Sequence, residues 1–161
     1  MLARFHRGHE PLTPGAIKEI RELFAHRIDR YLDAGYGGCF LRNPSVAKIV
    51  ANALGHFVGE RYLLHAWCIM PNHVHAVLTP VNGHSLPEIM KSWKGYTGTE
   101  ANRALDREGP FWQVEYYDHL IRDDPEFAQA VRYTLENPVK ARLADWSWVW
   151  ASEEALKRVA E

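Results

Sequence analysis

The sequence has little of what marks secreted, membrane-bound or strongly basic proteins. Cysteine occurs only twice, at Cys39 and Cys68, with neither a CxxC pair nor a Cys/His finger spacing, which argues against a disulfide framework or a zinc finger. No run approaches the roughly 18 apolar residues of a membrane span. The opening MLARFHRGHEPLTPG carries charge and proline but lacks the apolar centre of a signal peptide. The expected location is therefore the reducing cytoplasm. Charge of one sign is also missing: 19 Lys and Arg face 20 Asp and Glu, for a net charge of −1. No overall field draws the chain to nucleic acid, so any such grip has to be local. Repeats and low-complexity tracts are absent.

Apolar side chains are present in quantity, 47% of 161 residues. That is enough for one core, and one domain over 1–161 is expected. Six Trp and seven Tyr suit core packing first and stacking on unpaired bases second. After an irregular start over 1–15, residues 16–34 place Ile17, Ile20, Leu23, Phe24, Ile28, Tyr31 and Leu32 at helical steps, with Gly35 as the stop. A second helix is predicted after Asn43 as N-cap and Pro44 at the first position, with Val46, Ile49, Val50, Ala53, Leu54 and Phe57 on its buried face.

From Arg61 the apolar period changes to two, so RYLLHAWCIM and HVHAVLTP read as strands joined through Pro71-Asn72. Ser85 with Glu88 three positions on opens a third helix, which Gly95 and Gly98 weaken. The aromatic, β-branched run from Phe111 to Ile121 predicts a third strand. Asp123 or Asp124 then caps a helix ending at Asn137-Pro138, with Phe127, Ala130, Val131, Thr134 and Leu135 as its stripe. The tail over 139–161, with Trp146, Trp148 and Trp150, is expected to fold back on the core. Strands interleaved with helices predict an α+β sandwich, helices packed on a mostly antiparallel sheet.

His73 and His75 stand two apart on a predicted strand, so their rings leave one face while Val74 turns to the core. Two imidazoles on a fixed backbone suit a first-row divalent ion. They equally suit half-buried, hydrogen-bonded histidines. His65, Asp118 and His119 are available to orient such ligands from behind, or serve as ordinary strand polar residues.

The block MPNHVHAVL resembles the HUH motif of single-strand DNA nucleases, with Val74 as the apolar middle residue. FWQVEYYDHLIRD and RYTLENPVKARL resemble the two C-terminal signatures of the REP-associated tyrosine transposases, and HSLPEIMKSWKGYT resembles the helix between their halves. The resemblance runs over roughly residues 30–145. It implies a ferredoxin-like or RRM-like sandwich and a nucleophilic tyrosine four residues before the Asn of Asn-Pro-Val-Lys, here Tyr133 before Asn137. It also implies Mg²⁺ or Mn²⁺ held by His73 and His75. The four-residue step puts Asn137 on the helical face of Tyr133, as a third ligand or else as a helix cap. Tyr96, Tyr116 and Tyr117 are rival nucleophiles that lack this spacing.

The implied partner is single-stranded DNA folded into palindromic hairpins, cut through a 5′-phosphotyrosine, by a monomer or homodimer. Lys91, Trp93, Lys94 and Tyr96, with Arg103, and Arg132 and Lys140, with Arg142, are the expected DNA contacts, basic groups with aromatic neighbours. The family's N-terminal strand has no counterpart beyond Leu2 to His6. Two other readings stay open: a domesticated hairpin binder that no longer cuts, and an unrelated small hydrolase in which the two histidines act with a carboxylate.

Overall fold

The computed structural model describes residues 37–160. The irregular start, the helix expected over 16–34 and the Leu2 to His6 piece lie outside the described residues. A single 3₁₀ turn (Phe40–Arg42) leads into helix α1 (Pro44–His56). Asn43 Oδ1 accepts from Ser45 N at 3.0 Å, and Pro44 takes the first turn, where its missing N–H has no intrahelical role. Strands β1 (Tyr62–Ile69) and β2 (Val74–Pro80) run antiparallel. Their turn closes where Met70 N donates to His73 O at 2.8 Å.

Helix α2 (Leu86–Ala104) begins as the Ser85-Glu88 pattern predicts: the Glu88 carboxylate accepts from both Ser85 N and Ser85 Oγ at 2.8 Å. It continues through Gly95 and Gly98, each of which costs about 1 kcal/mol relative to Ala in a helix interior. Helix α3 (Asp124–Lys140) is capped by Asp123, whose Oδ1 accepts from Glu126 N at 2.8 Å. The tail supplies a third strand, β3 (Val149–Ala151), and helix α4 (Glu153–Ala160). The sheet order is β2-β1-β3, antiparallel throughout. Among the described residues this is an α+β fold with helices packed on an antiparallel sheet.

Two expected elements are corrected. The third strand is not Phe111 to Ile121, which carries no regular structure. Aromatic and β-branched residues favour a strand only when a neighbour pairs with it, and here Val114 is 92% exposed. The segment is pinned to α2 by side chains instead: Lys94 Nζ donates to Gln113 O and Val114 O, and Trp112 Nε1 to Thr97 Oγ1. The second correction is the end of α3. The helix does not stop at Asn137-Pro138 but continues to Lys140, with Ala141 N bonded to Asn137 O at 3.0 Å and Leu143 N to Pro138 O at 2.9 Å. Proline forfeits one donor to Thr134 O, yet the carbonyls beyond it still find partners.

A β-bulge sets which side chains face which helices. Leu64 pairs with Leu78 and Ala66 with Val77, so His65 is an extra residue in β1. Before it Tyr62 and Leu64, and after it Trp67 and Ile69, pack in the core formed with α1 and α2. Ala66 and Val77 turn the other way, onto Phe127 and Val131 of α3 and Ala155 of α4. Cys68 lies opposite His75 in the same register, so His75 faces α3.

Trp93, expected at a DNA surface, belongs to the first core. It is 8% exposed, meets the Tyr62 ring edge-on at 5.1 Å and donates its Nε1–H to Tyr62 Oη at 3.0 Å. Its helical phase, shared with Ile89 and Ala101, points it inward. Trp93→Ala should cost about 3–5 kcal/mol in urea unfolding. Gly95→Ala, two residues on and facing open space, should instead stabilise by about 0.5–1 kcal/mol.

Candidate metal and tyrosine site

The turn before β2 is fixed on several sides. Leu41 N donates to Pro71 O at 3.0 Å, and Trp146 Nε1 donates to Ile69 O at 2.7 Å. On this support His73 and His75 converge, their Nε2 atoms 3.0 Å apart and their rings perpendicular at 4.7 Å. Val74 packs in the opposite core, as period-two alternation requires. Burial first, and then the neighbouring His75, lower the pKa of His73 to about 3. A neutral imidazole with an available lone pair is what a metal needs.

Helix α3 brings the other groups. Asn137, 1% exposed, places Nδ2 3.1 Å from His75 Nε2. One turn earlier, the Tyr133 ring meets the His75 ring edge-on at 5.5 Å. Asn137 is an interior helical residue rather than a cap, because α3 runs past Pro138. Lys140 Nζ lies 5.1 Å from the Tyr133 ring centroid and pairs with Glu136 at 3.0 Å. Tyr133, Asn137 and Lys140 thus share one helical face.

Hydrogen-bond accounting tests whether these residues suit a cation. Asn72 Oδ1 is 2.7 Å from His73 Nδ1; with that amide oxygen accepting, Nδ1 carries the proton and Nε2 presents its lone pair. His75 Nε2 cannot both donate to His73 and accept from the Asn137 amide. Asn137 Oδ1 is itself buried with no hydrogen-bond partner. Turning that amide by half a revolution aims Oδ1 at His75 Nε2. Two imidazole nitrogens and an amide oxygen then converge, and a divalent ion would satisfy all three together. The donor set fits. Among the described residues no third His, Cys, Asp or Glu joins the pair, so the third group here is an amide.

Sequence reasoning missed Asn72, read only as a turn residue. Its signal was adjacency to His73 in Pro-Asn-His, which does not reveal which way the amide turns. The remaining candidates scatter. Lys91 and Tyr96 are exposed on α2, and Lys94 there is occupied by loop carbonyls. That helix packs in the core on the sheet face away from α3. Arg132 is exposed on α3. His65 bonds Thr79 Oγ1 at 2.9 Å and packs edge-on against Phe127 at 5.1 Å, an ordinary structural role. His119 bonds Glu126 at 2.6 Å, and Asp118 is exposed. Tyr116 and Tyr117 sit on the irregular 111–121 segment and Tyr96 on α2.

The family model described as "Transposase IS200 like" matches residues 45–137, a span that contains His73, His75, Tyr133 and Asn137. The chain belongs to this family of transposases. A Haemophilus influenzae protein provisionally named a REP-associated tyrosine transposase is 32% identical over 91 residues, 47% of this chain and 48% of that protein. The REP-associated tyrosine transposase of Escherichia coli K12 is 25% identical over 87 residues, 52% of this chain and 50% of that protein. The chain therefore spans about half the length of the curated relatives it matches. No solved structure gives a significant match. Among the described residues no helix is long and apolar enough to cross a membrane.

Asn72→Ala should weaken Mn²⁺ affinity about 10- to 100-fold by releasing the His73 tautomer, measured by isothermal titration calorimetry. Stability should also depend on acid. Burial lowers the pKa of His65, and burial with His75 lowers that of His73. Both imidazoles are thus held neutral when folded, and the unfolded chain takes up their protons first. The metal-free protein should lose stability as pH falls below about 6.5. Urea midpoints at pH 7.5 and 5.5 test the sign.

Proposed function

We propose that the chain is a metal-dependent single-strand DNA endonuclease and strand transferase, with Tyr133 as nucleophile. One observation carries the reading: α3 brings the Tyr133 ring against His75 while Asn137, one turn on, lies 3.1 Å from the same imidazole. The tyrosine oxygen attacks the scissile phosphorus, a phosphorus–tyrosine oxygen bond forms, and the bond to the 3′-oxygen breaks. The phenol gives up one proton and the departing 3′-oxygen gains one, so a 5′-phosphotyrosine and a 3′-hydroxyl result. Because one phosphoester replaces another, a second 3′-hydroxyl can reverse the step and join strands without a nucleotide triphosphate. His73, His75 and Asn137 would hold a divalent ion, Mg²⁺ or Mn²⁺, which would supply positive charge for the phosphate.

The chain's residues account for the rest. Asn72 holds the His73 tautomer. The cores around Val131 and Phe127 set the approach of α3 to β2. Lys140, over the Tyr133 ring, is exposed and would exchange its Glu136 partner for an anionic strand. The relatives' REP-associated name favours hairpins at repetitive palindromic elements as substrate.

The test incubates the chain with a single-stranded hairpin oligonucleotide and Mn²⁺, then looks for a covalent adduct on a denaturing gel. Wild type should form it and Tyr133→Phe should not, while hairpin binding persists. An adduct that survives Tyr133→Phe removes the assignment. A wild-type chain that binds the hairpin but leaves it uncut would instead be a hairpin-binding protein.

A further inference from the structure

We propose that the groove between α2 and the 111–116 segment is a pocket for one unpaired nucleotide of a single-stranded DNA, separate from the His73–His75 site. The proposal rests on the reading that the chain handles single strands, and it adds where a base is held. The groove has a volume of about 480 Å³, with Gly95 and Gly98 among its lining residues, Trp112 and Tyr116 opposite them and Lys91 and Lys94 from α2.

Its walls are built, not incidental. Thr97 Oγ1 accepts from Trp112 Nε1 at 2.8 Å and donates to Trp93 O at 2.6 Å, which locks the Trp112 indole. Lys94 clamps the carbonyls of Gln113 and Val114, with its ammonium 6.0 Å from the Tyr116 ring. An irregular segment is thereby held at a set distance from the helix before any ligand arrives.

The glycines give the second argument. Each weakens α2, and neither is required by the packing described. A Cβ at Gly95 would meet nothing within 4 Å, and one at Gly98 would make ordinary 3.6 Å contacts with Phe111 and Trp112. Gly95 keeps a side chain out of the groove, as close approach of a flat group requires, while at Gly98 the rings of Phe111 and Trp112 already cover the helix.

Charge selects the occupant. Lys91 is exposed, and no carboxylate among the described residues pairs with it. Glu88, one turn back, is turned onto Ser85. Aromatic walls with a cation at the side suit a nucleobase and its phosphate, whereas a purely apolar ligand would have no use for Lys91.

The test measures the affinity of a fluorescein-labelled, mixed-sequence single strand of about 12 nucleotides by anisotropy. It uses the full chain carrying Tyr133→Phe, so that no covalent step intervenes. Gly95→Leu, which fills the groove with a good helix former, should weaken binding about tenfold, as should Tyr116→Ala. Lys91→Ala should weaken binding and reduce the slope against log salt by about one. Thermal melting checks that each variant is folded, and Tyr116→Ala decides the matter if Gly95→Leu melts early. Unchanged affinity in the folded variants, no measurable binding of the single strand, or equal binding of a duplex overturns the pocket. A wild-type chain that forms no adduct while these affinities behave as stated removes the cleavage reading and leaves the pocket standing.

Discussion

The site depends on one buried contact between a helix and a strand, the Asn137 amide against His75. It joins segments 62 residues apart, and the rest of the arrangement keeps it in place. The Asp123 cap sets where α3 begins. Phe127 and Val131 then seat it on Ala66 and Val77. The helix passes through Pro138 to Lys140, so that Tyr133, Asn137 and Lys140 share one face. At Pro138 the helix gives up one backbone hydrogen bond and still carries Lys140 onto the face of Tyr133 and Asn137.

The second constraint is parity within the sheet. A residue in a strand faces the side opposite its neighbours, so the bulge at His65 changes the sides of everything after it in β1. Tyr62 and Leu64 can belong to the α1/α2 core while Ala66 supports α3 only because of that extra residue. β2 has no bulge, and its alternation alone puts Val74 in one core and His75 toward the other helix layer. Both helix layers therefore find apolar sheet surface, and the imidazoles lie on the side where the tyrosine helix packs.

Much of this was legible in the residues. The caps at Asn43 and at Asp123 or Asp124, the Ser85-Glu88 box, the β1–β2 pair and the alternation of His73, Val74 and His75 follow local rules, and the structure obeys them, with Asp123 as the cap of α3. The failures are nonlocal. Phe111 to Ile121 has strand composition, but pairing requires a neighbour that composition cannot specify, and α2 captures Trp112 first. Trp93 looked like a stacking residue beside two lysines, whereas its phase along α2 turns it to Tyr62. The orienting role of Asn72 is a matter of amide direction, beyond what spacing can encode. The tail strand Val149–Ala151 is three residues long, too short for alternation to announce.

The division of the site between a hairpin and a separate helix places control of the proposed reaction in the protein's interior. The separation of the Tyr133 ring from His75 is a packing distance, set by how deeply Val131 and Phe127 settle on the sheet. Interiors resist compression and transmit small shifts. Trimming a methyl group there would let α3 shift against β2 without touching any group of the site, so these core side chains act as spacers between the tyrosine helix and the paired imidazoles.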